Sequence, residues 1–468
     1  MSAGAYDAVM ARKADILRAA TGIDYSRYTD GPVIVDYAGL MASTGYDATE
    51  VRSLQRARGV GGTPMLELRN VTRLVRELSP PGHGARILVK DEAANPSGSF
   101  KDRRASISAH HAKKMGYAGL VAATSGNYGA AVASQAAAFG LGAIVIQEAY
   151  DGDGRGQPEI LEKARKCEAL GAEVIQTTVG PELFFMLLKI LEETGWFNAS
   201  LYTPFSVQGI ETLGEEIVED SVALTGRRPA MVLCTHAGGG MCTGVARGLR
   251  NAGSEDTQVV GVSVDLTGLH MASDHDFNRK SFTTGHTGFS VPFTSWPDRA
   301  DVPRNAARSL RYLDRFVTVS QGSVFFATEL LAQAEGLERG PAGNISLAAA
   351  LVLARELPRD ELLVVTETEY TGAGKTPWAQ LAFARDMGVD VVNGGPESEQ
   401  PGAVIALPLS PTQLACTEVD LGAVRRSYIR HAMTMLGRSP GEAELAFLAE
   451  DTRLSFAELA DLMTPATG

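Results

Sequence analysis

The stretch Lys90-Asp91-Glu92-Ala93-Ala94-Asn95-Pro96-Ser97-Gly98-Ser99-Phe100-Lys101-Asp102-Arg103 runs from an apolar strand-like segment through a Pro/Ser/Gly loop into a helical pattern. That spacing puts Lys101 in the first helical turn. There the positive end of the helix and partial burial both favour a neutral amine, the form that attacks a carbonyl to make a Schiff base. On position alone, Lys101 also reads as an ordinary surface lysine, one of 43 basic residues. A second strand-to-helix turn is Ala123-Thr124-Ser125-Gly126-Asn127-Tyr128-Gly129. The successive amides and hydroxyls of Ser125, Gly126, Asn127 and Tyr128 suit a carboxylate, and Asn127 suits a ring hydroxyl, although the motif alone is equally an ordinary turn. The third, Cys234-Thr235-His236-Ala237-Gly238-Gly239-Gly240-Met241-Cys242-Thr243-Gly244, follows the apolar run Met231-Val232-Leu233. Three consecutive glycines opening a helix let backbone N–H groups approach a phosphate, or let strand and helix pack tightly.

Two nucleotide readings fail by single residues. A dinucleotide fingerprint through Gly238 and Gly240 needs Gly or Ala where Thr243 stands. The run Thr371-Gly372-Ala373-Gly374-Lys375-Thr376 mimics the end of a phosphate-binding P-loop, but Glu369 occupies the position of its first glycine.

The elements that must position these motifs are legible from periodicity. From about residue 85, short apolar runs alternate with helical patterns: Ile87-Leu88-Val89, Leu120-Val121-Ala122-Ala123, Ala143-Ile144-Val145-Ile146, Val174-Ile175, Met231-Val232-Leu233, Val259-Val260-Gly261-Val262 and Leu362-Leu363-Val364-Val365. Continuous apolar strands between helices predict a mostly parallel, doubly wound α/β architecture, with ligands at the carboxyl ends of the strands. Each motif falls at such an end. Residues 1–60 read as a polar, helix-prone N-terminal extension, and glycines and prolines at 394–402 mark a boundary before a mainly helical C-terminal extension, 396–468.

Fifty-five acidic against 43 basic residues give a net charge of −12, which opposes general nucleic-acid or anionic-membrane binding. No apolar run approaches the roughly 18 residues of a membrane span, and the charged, amphipathic N-terminus lacks a signal-peptide core. A cytoplasmic protein is expected. Cys167, Cys234, Cys242 and Cys416 form no CxxC pair and no zinc spacing, so reduced thiols and no metal are expected. Cys167 shares helical spacing with Ile160 and Ala164, which marks it as a packed core position. Arg103, Arg104, Lys113 and Lys114 read as a solvated helix face in preference to a nucleotide contact. His286 and Lys375 read as loop residues with either a site role or none.

In this order and spacing, the motifs resemble fold-type II pyridoxal 5′-phosphate (PLP) enzymes, the threonine synthase and tryptophan synthase β group. Gly62-Thr63-Pro64-Met65-Leu66 resembles that group's entry motif, residues 95–103 its lysine motif, 125–129 its substrate-carboxylate loop and Gly238, Gly239 and Gly240 its phosphate cradle. Glu335-Gly336, Pro341-Ala342-Gly343 and Thr371-Gly372 resemble its C-terminal elements. The resemblance implies a tryptophan synthase β-like fold of two doubly wound subdomains with PLP between them. It implies a catalytic body over 61–395, within which 105–200 forms a smaller movable subdomain. It further implies Lys101 as Schiff-base lysine and proton shuttle, Asn127 on the cofactor's 3′ oxygen, Gly238, Gly239, Gly240, Met241 and Thr243 around the phosphate, and Thr371 at the pyridine nitrogen. Two departures stand out: Arg104 lies where threonine synthases usually have a small residue, and the cradle has three glycines, not four.

A closer resemblance, to the β subunits of 2-amino-4-oxopentanoate thiolases, extends into residues 6–13, 166–173, 197–205, 281–289 and 367–375. It implies a PLP-dependent acyl transfer between coenzyme A and a small amino acid, and a small α subunit in a hetero-oligomer. Alternatives on the same scaffold are a threonine synthase-like elimination or replacement enzyme, or a β-like binding subunit without catalysis.

Overall fold

The computed structural model describes residues 3–124, 126–150, 153–156, 158–178, 182–266, 282, 294–298, 304–370 and 377–463. Helices α1 (Ala3–Ala11) and α2 (Lys13–Thr21), a short ladder of β1 (Thr29–Asp30) with β2 (Ile34–Val35), and helices α3 (Tyr37–Ala42) and α4 (Ala48–Arg56) make the N-terminal extension. Strand β3 (Met65–Glu67), α5 (Arg69–Glu77), β4 (Arg86–Asp91) and α6 (Lys101–Met115) then lead into a strict alternation. This comprises β5 (Gly119–Thr124), α7 (Asn127–Phe139), β6 (Gly142–Tyr150), α8 (Pro158–Ala169), β7 (Glu173–Thr178), α9 (Glu182–Thr194) and β8 (Phe197–Asn198). The chain returns through α10 (Pro204–Thr225), β9 (Met231–Thr235), α11 (Gly240–Asn251), β10 (Gln258–Val264) and β11 (Arg315–Val319). Helices α12 (Gln321–Glu335) and α13 (Ile345–Leu353) precede β12 (Leu362–Glu367) and α14 (Pro377–Asp386).

Two sheets result. The smaller runs β7-β6-β5-β8, all parallel. The larger runs β15-β11-β10-β9-β12-β4-β3, parallel from β11 to β4 and closed at each edge by an antiparallel strand, β3 or β15 (Thr417–Glu418). Both faces of each sheet are covered, which is why the central strands are apolar throughout. In β5, Val121 and Ala123 pack with Val9, Ile16 and Leu187 from α1, α2 and α9, while Leu120 and Ala122 join the cluster that includes Ala130 of α7 and Cys167 of α8. In the larger sheet, Ile87, Leu233 and Val365 face one core, and Leu88, Val232 and Val364 the other.

Chain order reverses beside β5, whose neighbours are β6 and β8, and again between β9 and β12. The carboxyl ends at such switch points leave a crevice where adjoining loops diverge, and these are the ends that carry the motifs. Strands β13 (Asp390–Asn393) and β14 (Val404–Leu407) pair with each other across position 395, so the C-terminal extension is anchored by a two-stranded ladder. Its helices α15 (Leu421–Leu436) and α16 (Glu442–Thr452) are tied to the body through Asp451, which accepts from Arg308 Nη2 at 2.8 Å and also meets Arg311 and Tyr428. Among the described residues, no helix is long and apolar enough to cross a membrane.

Candidate active site

Three helices begin at one point in the molecule. Helix α6 starts at Lys101, α7 at Asn127 and α11 at Gly240, and none of them has a side-chain cap. Some other helices carry side-chain caps, with Asp47, Thr203 and Ser320 each accepting an amide hydrogen at the start of α4, α10 and α12, while α2, α5 and α13 are uncapped as well. Uncapped first-turn amides keep their partial positive charge for a ligand, so converging helix starts form an anion-seeking centre. Residues from all three line one cavity of about 160 Å³.

Lys101 reaches this cavity from a loop fastened to the segment after β12. Phe100 N donates to Thr368 O at 3.1 Å, and Tyr370 N to Gly98 O at 2.9 Å. Gly98 has φ +78°, and a Cβ there would stand 2.3 Å from Tyr370 O, so glycine is what lets the two backbones meet. Asp102 locks the same loop to the helix: its carboxylate accepts from Ser97 N at 2.6 Å and Gln135 Nε2 at 3.0 Å. Burial pushes the Asp102 carboxyl up to about 6, against those hydrogen bonds.

Opposite stands the glycine turn. Gly239 has φ +81°, and a Cβ on it would lie 2.7 Å from Ser309 Oγ and 3.2 Å from His236 Nε2. Those two side chains are themselves bonded, His236 Nε2 to Ser309 Oγ at 2.9 Å, so the floor of the turn is fixed. At the third wall, Asn127 is buried and its Oδ1 has no partner among the described residues. A Cβ on Gly126 would sit 3.2 Å from Lys163 Nζ, which brings a lysine up against the amides of the α7 start. Lys163 is 2% exposed and ion-paired to Glu159, whose other oxygen accepts from Gln380 Nε2 at 2.9 Å. Glu148 and Glu369 also line the cavity.

Arg103 and Arg104 are buried, which corrects the expectation of a solvated face; only Lys113 and Lys114 of that set are exposed. The start of α6 is enclosed on every side, so its charges cannot reach water. Arg103 meets Glu92 and Glu216, each at 2.7 Å, and Glu216 also pairs with Lys90 at 3.0 Å. The two cations hold the Glu216 carboxyl below its ordinary range despite burial. Arg104 instead turns into the cavity beside Gly240.

The residues present fit PLP. An amine stands at Lys101, an orphaned acceptor at Asn127, and a cradle of Gly238, Gly239 and Gly240 where side chains would crowd. Of the residues singled out in the sequence, Lys101, Gly126, Asn127, Tyr128, Gly238, Gly239, Gly240 and Met241 line the one cavity. Thr243 lies one turn into α11, fully buried, with its hydroxyl donating to Gly239 O at 3.0 Å. Ser125, Thr371, His286 and Lys375 fall outside the described residues. Glu367, at the end of β12, is fully buried, and burial with Asp91 nearby pushes its carboxyl well above the ordinary range. Cys234 and Cys242 are buried behind the turn, and burial raises the Cys242 thiol far above a nucleophile's range.

Sequence reasoning missed Lys163, Glu148, Tyr202 and the site roles of Thr368 and Glu369. A signal for Lys163 existed: it falls on the buried stripe of Ile160, Ala164 and Cys167, where a lysine is out of place.

Residues 57–369 match the model of the pyridoxal-phosphate-dependent enzymes, and the chain belongs to that family. Over 449 residues, 96% of the chain, it is 62% identical to a 2-amino-4-ketopentanoate thiolase β subunit from an unknown prokaryotic organism, covering 95% of that protein. It is 56% identical over the same share to the protein of that name from Acetoanaerobium sticklandii, with 96% of the relative covered. Threonine synthase of Methanocaldococcus jannaschii is more distant, 25% identical over 66% of the chain and 74% of that protein. Among solved structures, O-ureido-L-serine synthase superposes with a TM-score of 0.53 at 22% identity, over 73% of this chain and 96% of that one. That likeness establishes the fold.

Proposed function

We propose that this chain is the PLP-bearing β subunit of a thiolase that converts 2-amino-4-ketopentanoate and coenzyme A to acetyl-CoA and alanine, or runs the condensation in reverse. The observation that carries the reading is 62% identity over 96% of the chain to a relative bearing that name. A small α subunit as partner, coenzyme A as co-substrate and a cytoplasmic setting belong to the same proposal, as does movement of residues 105–200 around the cavity.

The bond to be broken joins the substrate's methylene carbon to its ketone carbon. The thiolate adds to the ketone carbon, the acetyl group leaves on sulfur, and the bonding pair stays on the methylene carbon, which takes a proton to become alanine's methyl group. When bound, PLP supplies the electron sink that such a carbon needs. The chain's own residues do the rest. Lys101 Nζ would hold the cofactor's aldehyde and carry the proton at the amino acid's α carbon. In this reading Asn127 would meet the ring oxygen, the Gly126 and Tyr128 amides with Ser125 would take the carboxylate, the glycine turn with Met241 and Thr243 would hold the phosphate, and Thr371 would serve the ring nitrogen. Apolar walls from Phe100, Leu183, Phe184 and Leu201 exclude water from the charged centre.

The test is product analysis with purified protein, substrate and coenzyme A, with and without the α partner. Acetyl-CoA and alanine in equal amounts, lost in Lys101→Ala, are expected. Ammonia release without acetyl-CoA would assign an elimination (lyase) reaction instead.

A further inference from the structure

Arg104 is a buried cation for which the described residues supply no anion. It is 5% exposed, and among the described residues it makes no ion pair. Among the described residues its guanidinium donates to a single carbonyl, from Nη1 to Leu201 O at 3.2 Å, and its buried Nε meets no partner. The Phe100 ring lies 5.5 Å from its guanidinium carbon, an apolar backing that does not neutralise charge. Burial accordingly pulls its pKa down to about 10. A cation in that position is costly unless something negative joins it.

The geometry says where the negative charge sits. A Cβ added to Gly240 would stand 2.5 Å from Arg104 Nη2 and 2.9 Å from Nη1, so the guanidinium lies against the first residue of α11. That helix start has no side-chain cap, and its cavity face is completed by the Tyr202 hydroxyl, 3.2 Å from a Cβ built on Gly238. An anion received by the Gly239 and Gly240 amides is within reach of the fork. The amide loop suited to a carboxylate, at Gly126, has a different cation beside it, Lys163.

We infer that Arg104 is the counter-ion of the cofactor's phosphate, closing the glycine cradle with a paired guanidinium–phosphate contact. The inference rests on the PLP reading. It gives the group's departure at this position a purpose: the helix start alone offers partial charges, while Arg104 adds a full one with fork geometry.

The experiment compares equilibrium binding of PLP and of pyridoxal, which lacks the phosphate, to apoprotein of the wild type, R104M and R104Q, read by the absorbance of the aldehyde adduct. The expected result is a fall of about tenfold to a hundredfold in the preference for PLP over pyridoxal in both variants, with pyridoxal affinity unchanged. Equal loss for both ligands, or an unchanged preference, would overturn the inference in favour of a packing role. A wild-type protein that forms no adduct with either aldehyde would instead overturn the PLP reading itself. A second measurement needs no variant. The ³¹P resonance of the wild-type holoprotein should stay at its dianion position down to pH 5.5; titration near the free monoester's value of about 6 would contradict a guanidinium partner.

Discussion

Arg103 and Arg104 are adjacent in sequence and occupy opposite kinds of interior. Beneath α6, Arg103 is surrounded by Glu92, Glu216 and Lys90, with the Thr63 and Thr212 hydroxyls completing its bonds. On the cavity side, Arg104 has one carbonyl and a ring. One region is electrically closed and the other is open. A closed cluster fixes the angle at which α6 meets β4 and α10, and so aims Lys101. The open one is complete only when a ligand arrives. Burial alone therefore does not separate scaffold from site; what separates them is whether the protein itself balances the charge.

The largest effect should follow from breaking the closed side. R103M leaves Glu92 buried without its cation and Glu216 with Lys90 alone, and should cost about 3–5 kcal/mol of unfolding free energy, measured by denaturant titration of the apoprotein. R104M should leave the apoprotein as stable as wild type or more so, since it removes an unbalanced charge. Equal destabilisation by both would erase the contrast. Next in size is the turn between the two regions. G239A forces an alanine to φ +81° against Ser309 and His236, and should cost about 1–2 kcal/mol while weakening PLP binding more than pyridoxal binding.

The smallest effect is a pH slope. Burial lowers the His236 pKa from 6.5 to about 4, so the unfolded chain binds that proton more readily than the folded one. The neutral imidazole's contribution is intact above about pH 6.5 and is lost as pH falls toward 4. The H236N variant should flatten the stability profile in that window. Asp451 acts lower: burial opposes its ionisation, but Arg308 and Arg311 hold its carboxyl down to about 2, so its contribution is lost only below the ordinary 3.8.

Much of this was legible in the residues themselves. The buried strands announced β4, β5, β6, β9, β10 and β12, and each glycine-bearing turn fell at a strand's carboxyl end, where an α/β sheet opens. The short edge strands β3, β8 and β15 carry too few residues for a pattern, and they exist because a neighbouring strand offers free hydrogen bonds. The ladder of β13 with β14 spans a Gly/Pro stretch that reads as a boundary, since a parallel pairing across a loop leaves no local signal. Arg104 was misread for a similar reason. Charge on a helix suggests solvent, and only the packing of small residues Ala105, Ser108 and Ala109 against neighbouring elements reveals how deeply this helix start is enclosed.

Two lysines line the cavity, and one of them is expected to take the aldehyde. Lys163 is ion-paired to Glu159, whereas Lys101 opens α6 at the ligand end of the loop. Reduction of the holoprotein with borohydride, digestion and mass analysis of the peptides tests this most directly. The pyridoxyl-phosphate adduct should be found on Lys101. An adduct on Lys163, or no covalent adduct, would contradict the account.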